Sequence, residues 1–334
     1  MEKTTLISQM QKFHFGSKVF CSDGEDGILT RVSFDPASQR LAHIGVKQGR
    51  IFGKTLYVPY DTVTDASSDG VNLSISRSDL AAASQQEPGG ALLDGRSVVQ
   101  HADTGVKGTL TLVAVHPENG ALAYLIVRNL RRGQDVLIRQ EGVAKLEKGL
   151  VMVSIPESVL QTLPPYRPDD ELQQEVEDIL FDLTPLHVDF EGMKIRVLDG
   201  VLYLDGNISS SLRADIVQDQ ASGVRGLLEI RNNLVGDDSL ASDLASALAK
   251  DPRTRDLPIG IYPRLGVVRL SGAVHNEEQK AAATEIARNF PGVRSVINDL
   301  VVDPKAALLR VMASAEGGEA EDRVPGGKYI RHTK

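Results

Sequence analysis

The chain contains no Trp and a single Cys, and aromatic residues make up only 4% of it. With so few rings, any core must be built from Val, Leu, Ile and Ala. Cys21 has no partner for an intramolecular disulfide, which excludes a disulfide-stapled scaffold and predicts a reducing compartment. Uninterrupted apolar runs of ~18 residues are lacking, so no membrane-spanning helix is expected. The opening MEKTTLISQMQKFHFG has no apolar stretch leading to a small-residue cleavage site, so no secretory signal is expected. These absences predict a cytoplasmic protein, peripheral to the inner face of the membrane if it meets one.

The 334 residues are 41% hydrophobic and 25% charged, the composition of an ordinary globular chain. The formal net charge of −8 is unevenly spread: residues 1–168 hold 18 cations and 17 anions, residues 169–334 hold 19 and 28. An acidic second half excludes phosphate-directed DNA binding there. It also speaks against purely electrostatic attraction to anionic lipid.

Two internal repeats organise the chain. Gly27–Lys47 aligns without gaps on Gly108–Arg128 at an offset of 81, matching Leu29 with Leu110, Val32 with Val113 and Pro36 with Pro117. Each block is an apolar run, a turn (DPASQ or HPENG) and a second apolar run, which reads as a β-hairpin. Tyr57–Val63 and Val71–Ile75 read as further strands, with Val136–Val143 and Leu150–Ile155 as their counterparts. Each unit is therefore expected to be a small all-β barrel.

The second repeat sets Gly200–Ile208 on Gly266–Val274 at an offset of 66, and the offset holds from Ala221–Val235 to Ala287–Val301. Leu172, Val176, Leu180 and then Leu240, Leu244, Leu248 have helical spacing, whereas Leu202/Leu204 and Val268/Leu270 alternate as strands do. A second helix is expected in each copy, marked by Leu212 and Ile216 in one and by Ala282, Ile286 and Phe290 in the other. Asn276 with Gln279 predicts a capping box. The order is helix–strand–strand–helix–strand, a three-stranded sheet with both helices on one face.

The fold expected is thus multidomain, two small all-β barrels followed by two α+β (αββαβ) units. The boundaries are 12–77 and 92–163 for the barrels, with a linker at 78–91, and a Pro-rich connector at 164–169. The α+β units take 170–236 and 237–303, and a short helix and flexible tail take 304–334.

The segment from Val46 to Val63, with Gly49, Gly53 and Val58-Pro59, resembles PRC-barrel domains; in the second copy Ile138-Arg139 stands where Val58-Pro59 would be. The runs Gly266–Val274 and Pro291-Gly292-Val293 through Leu300 resemble BON domains (bacterial OsmY and nodulation), with Gly200–Ile208 and Gly226-Leu227 as a more divergent copy. The PRC-barrel resemblance implies an adaptor associated with protein or RNA. The BON resemblance implies binding at phospholipid or the bacterial envelope, a stress response, or ion sensing. Neither family carries a catalytic motif.

Gly200, Gly206, Gly266 and Gly272 are expected to serve as structural glycines. Gly200 and Gly266 would sit in hairpin turns; Gly206 and Gly272 would admit a helix at close range. The seven His are dispersed without ligand spacing, so no metal site, cofactor site or catalytic set is expected. The densest basic group is Arg128, Arg131, Arg132 and Arg139, and the run Asp169–Asp182 holds seven carboxylates and no cation. Glu171, Glu175, Asp178 and Asp182 would share a helix face able to dock on the Arg loop of the same or a neighbouring chain. The expected function is a non-enzymatic scaffold with protein partners, self-associating into a homo-oligomer, with no small-molecule substrate. A peripheral phospholipid-binding stress protein is the alternative, and a ligand or ion sensor the third reading.

Overall fold

The computed structural model describes residues 6–49, 53–131 and 133–305. Arg132, His332 and the expected helix and tail from 306 onward lie outside the described residues. Two compact units emerge. Among the described residues, the first comprises those within 6–177 with 196–203 and 222–231; the second comprises 178–195, 204–221 and 232–305.

The first unit is built on two large sheets. One runs in spatial order Thr55–Pro59, Arg40–Lys47, Gly24–Asp35, Lys18–Cys21, Gly70–Leu73, Val63–Ser67. The other runs Val143–Glu147, Leu150–Val153, Val98–His101, Lys107–Val115, Leu122–Arg131, Gln134–Arg139, Pro165–Tyr166. In both, the strand before the long hairpin pairs in parallel with the last strand of the set. The run expected as one strand over Tyr57–Val63 is broken by a 3-10 turn at Tyr60–Thr62, which starts a new strand at Val63.

Two self-contained barrels were expected, with segments 78–91 and 164–169 outside them. The structure instead exchanges strands. Gln11–His14 pairs with Lys107–Val115 of the second sheet, and Ala91–Asp94 pairs with Gly24–Asp35 of the first. Phe13 faces Val113 and Leu93 faces Val32, so the swap is reciprocal in register. The hairpin ends also meet through two bonds related by the repeat: Leu41 N donates to Gly120 O (2.8 Å), and its counterpart Leu122 N to Gln39 O (2.9 Å). The consequence is a single core, in which Phe13, Leu29, Val32, Phe34 and Leu93 pack with Leu110, Val113, Leu125 and Val153. The Pro-rich connector is no free spacer, because Pro165 and Tyr166 register with Val136 and Asp135.

Two three-stranded sheets follow, Met193–Leu198, Val201–Ile208, Glu229–Gly236 and then Ile259–Arg264, Val267–Val274, Ser295–Val302. Helices Asp169–Phe181, Ser211–Ala221, Asp237–Lys250 and Glu277–Arg288 alternate with them. The last sheet has its own core, with Leu240, Leu244 and Leu248 packed with Ile259, Ile261, Val268, Leu270, Ala283 and Ala287. In helix Ser211–Ala221 the inward face is Ala214, Val217 and Ala221, whereas Leu212 and Ile216 are exposed. Small residues, not the large ones that mark the helix in the sequence, face the core here. The Asn276 carboxamide accepts from Gln279 N (2.9 Å), but Gln279 reaches back to His275 N rather than to Asn276 N, so the reciprocal cap is displaced by one residue.

Candidate functional site

Strand Gln11–His14 alternates its side chains. Phe13 enters the shared core. Lys12 and His14 lie on the other face, in register with Ala114 and Leu112. There Leu112, Ala114, Tyr124 and Ile126 pack with Ile7, Met10 and Tyr166.

Onto this face comes the turn Asp199-Gly200, which joins Met193–Leu198 to Val201–Ile208. Asp-Gly is a strong two-residue hairpin signal, and both residues have positive φ, +52° and +74°. The turn is fixed by Asp169 in the first turn of its helix, which accepts from Asp199 N (2.7 Å) and Gly200 N (2.8 Å). The Asp199 carboxylate is thereby driven into the protein, with its side chain 0% exposed. His14 Nε2 donates to Asp199 Oδ1 at 2.5 Å, Ser68 N donates to Oδ2 at 3.2 Å, and Lys12 Nζ stands 4.0 Å from Oδ2.

The flanks are polar too. Arg196 pairs with Asp69 (2.5 Å), and Glu229 accepts from Ser8 N (2.9 Å) and Ser8 Oγ (2.8 Å). Burial pulls the Lys12 amine below its usual range, opposed by attraction to Asp199, Glu229, Asp169 and Asp65. Burial also pushes the Tyr124 and Tyr166 phenols upward, and nearby Asp169 and Asp199 add to it. Chemically the cluster clamps. The His14 imidazole is engaged by a carboxylate, and Ser17 Oγ donates to the His14 carbonyl rather than to the ring.

The second unit repeats the turn without the clamp. Leu265-Gly266 has φ of +47° and +77°, and Asp237 accepts from Leu265 N (2.7 Å) and Gly266 N (3.2 Å). Burial raises the Asp237 carboxyl, and the two amide bonds oppose that. Edge strands are closed by a matched pair: Asn232 Oδ1 accepts from Leu234 N, and Asn298 Oδ1 from Leu300 N.

The residues singled out from sequence fall elsewhere. Arg128 sits 3.6 Å from Asp135, Arg131 donates to Leu163 O (2.5 Å), and Arg139 is exposed. Among the described residues Glu171 and Glu175 pair with Arg167, at 3.8 and 2.6 Å. Asp178 follows on the same helix, whereas Asp182 lies beyond its end at Phe181. The cation on these two carboxylates thus comes from the connector, which is near in sequence. Gly206 and Gly272 do not admit a helix. A Cβ there would lie 2.2 Å from Gly192 O or 2.0 Å from Pro258 O, so what needs room is the neighbouring strand's backbone. The residues missed were Lys12, His14, Asp169, Asp199 and Asp237. Asp169 and Asp237 carried a signal, the doubled Asp-Asp at 169–170 and 237–238 opening each helix, whereas Lys12, His14 and Asp199 carried none of their contact.

Residues 236–304 match the BON domain family, and the C-terminal region is α+β of that type. Osmotically-inducible protein Y of Escherichia coli is 27% identical to this chain over 121 residues, 32% of this chain and 60% of that protein. The chain thus spans about three fifths of the length of the curated relative it matches. Two structures of CdsD, a structural protein of the type III secretion system of Chlamydia trachomatis, are similar at 17% identity. They have TM-scores of 0.32 and 0.35, over 40% and 41% of this chain and 61% and 68% of theirs. Among the described residues no helix is long and apolar enough to cross a membrane, and no three His, Cys, Asp or Glu gather as a metal set.

Proposed function

We propose that the chain is a non-enzymatic scaffold or adaptor that binds protein partners and self-associates. Its N-terminal sheets act as PRC-barrel-like modules and its C-terminal sheets as a BON-like pair. The observation that carries this reading is apolar surface in the second unit. Phe181, Val188 and Leu212 are 63%, 62% and 68% exposed. The Phe181 ring stacks on His187 at 5.0 Å and meets Phe190 edge-on at 5.8 Å. Asp189, fully buried, accepts from Ser209 N (2.8 Å) and pairs with Arg213 (2.7 Å), tying this loop to the helix that carries Leu212. Exposed apolar side chains gathered into one patch mark interaction surfaces, and the Phe181, His187 and Phe190 rings form such a cluster.

The test is light scattering of the full chain across a concentration series. A defined oligomer that dissociates when Phe181→Ser and Leu212→Ser are combined supports the reading. A wild-type monomer throughout overturns self-association. The BON match and the similarity to an osmotically inducible protein favour a second reading, a peripheral envelope-stress protein that binds phospholipid. Flotation with zwitterionic and anionic liposomes at low and physiological salt separates the two, because lipid binding floats the chain and a scaffold stays behind.

A further inference from the structure

We propose that the His14–Asp199 contact is a proton-operated latch within the first unit. It grips the turn at 199–200 firmly when the imidazole is charged and loosely when it is neutral. Three observations carry this. The contact is short, 2.5 Å between His14 Nε2 and Asp199 Oδ1, and it joins segments 185 residues apart. The Asp199 side chain is 0% exposed while that of His14 is 30% exposed, so the carboxylate is desolvated and the imidazole keeps access to solvent protons. Asp199 also holds Ser68 N, so the grip extends to the hairpin Val63–Leu73.

The groups facing the contact fix its sign. Lys12 lies on the same strand, 4.0 Å from Asp199 Oδ2. Asp65 and Asp69 come from the adjacent hairpin, Asp169 from its helix, Arg196, Tyr203, Glu229 and Arg231 from the strands beside the turn, and Tyr124 and Tyr166 from the apolar cluster. Asp69 and Arg196 neutralise each other, Arg231 stands 3.6 Å from Glu229, and Lys12 offsets Asp199 in part, leaving Asp65 and Asp169 as the net negative surround. An imidazolium is attracted to that surround and a neutral ring is not. Imidazole is the side chain whose charge ordinarily changes in the physiological range. A charge-assisted bond is about twice as strong as a neutral one. Raising the pH therefore weakens the grip without abolishing it, since the neutral ring still donates from Nε2.

The experiment is hydrogen–deuterium exchange of the full chain from pH 5.5 to 8.5. Peptides covering 63–69 and 196–203 are read as protection factors against strand Val267–Val274 as internal reference. Protection of the two peptides should fall about tenfold as pH rises. The fall should track the His14 imidazole titration followed by NMR in the same wild-type sample. His14→Gln should flatten the profile, as should Asp199→Asn, which keeps an acceptor and removes the charge. A flat wild-type profile, a fall out of step with the His14 titration, or a slope retained in H14Q overturns the latch. The wild-type comparison decides even if a variant does not fold.

Discussion

The turns at Asp199-Gly200 and Leu265-Gly266 share one backbone design. In each, two residues of positive φ join two strands, and an Asp from the first turn of a helix accepts both turn amides. They differ at one side chain. Asp199 sends a carboxylate to His14, Ser68 and Lys12, whereas Leu265 sends an isobutyl group beside Gly192. The counterparts of Lys12 and His14 on the exchanged strand Ala91–Asp94 are Leu92 and Asp94, judged from their matching register on the two long hairpins.

Removing the carboxylate should expose that difference most strongly. Asp199→Ala leaves the Lys12 amine buried without its nearest counter-charge, and loss of one partner from a buried pair costs about 3 kcal/mol. Leu265→Ala removes only partly exposed apolar surface, about 1 kcal/mol. Urea denaturation of both variants measures the gap. Equal losses would mean that the junction contributes nothing beyond the turn.

The parts of this arrangement legible in the sequence are the ones made by neighbours. Asp-Gly and Leu-Gly at the turns, and Asn232 and Asn298 at the edges, act on main chain within a few residues, so a gapless alignment finds them. The His14–Asp199 contact spans 185 residues, and a single His and a single Asp that far apart leave no spacing to read. Strand exchange is hidden for a related reason. Gln11–His14 is followed closely by Lys18–Cys21 in sequence, and pairing with nearby chain is the natural expectation, yet its partner begins at Lys107. In helix Ser211–Ala221 the Ala and Val stripe and the Leu and Ile stripe both satisfy helical spacing, so spacing alone does not tell which one faces the core.

Next in size is the capping carboxylate of the second turn. Asp237→Asn weakens two amide bonds at once, for about 2 kcal/mol at pH 7. Its pH dependence has a definite sign. Burial raises the folded carboxyl above the ordinary 3.8, so between those two values the folded chain holds more proton than the unfolded one. Wild-type stability relative to D237N should therefore grow as pH falls from 7 through that window toward 4. A constant difference would show that burial is not what governs this carboxyl. The edge amides should show no asymmetry at all. Asn232→Ala and Asn298→Ala each free one strand amide and two further bonds, and each should cost about 1 kcal/mol by urea denaturation, a disparity well beyond that marking one edge as covered differently.

The smallest effect is the most discriminating for the turn itself. Leu265 holds φ of +47°, a region that costs an L-residue with a bulky side chain roughly 1–2 kcal/mol and that Asn tolerates. Replacing it with Asn relieves that strain and gives up the apolar contact beside Gly192, a partly exposed surface with a transfer value of about 0.5–1 kcal/mol. The balance favours the variant by about 0.5 kcal/mol, seen as a higher urea midpoint at unchanged slope. A lower midpoint would mean that the packing of Leu265 outweighs its backbone. The divergence of the two turns would then be a choice between two kinds of burial, carboxylate in one and hydrocarbon in the other, rather than the retention of one charged junction on a scaffold indifferent to what stands at its twin.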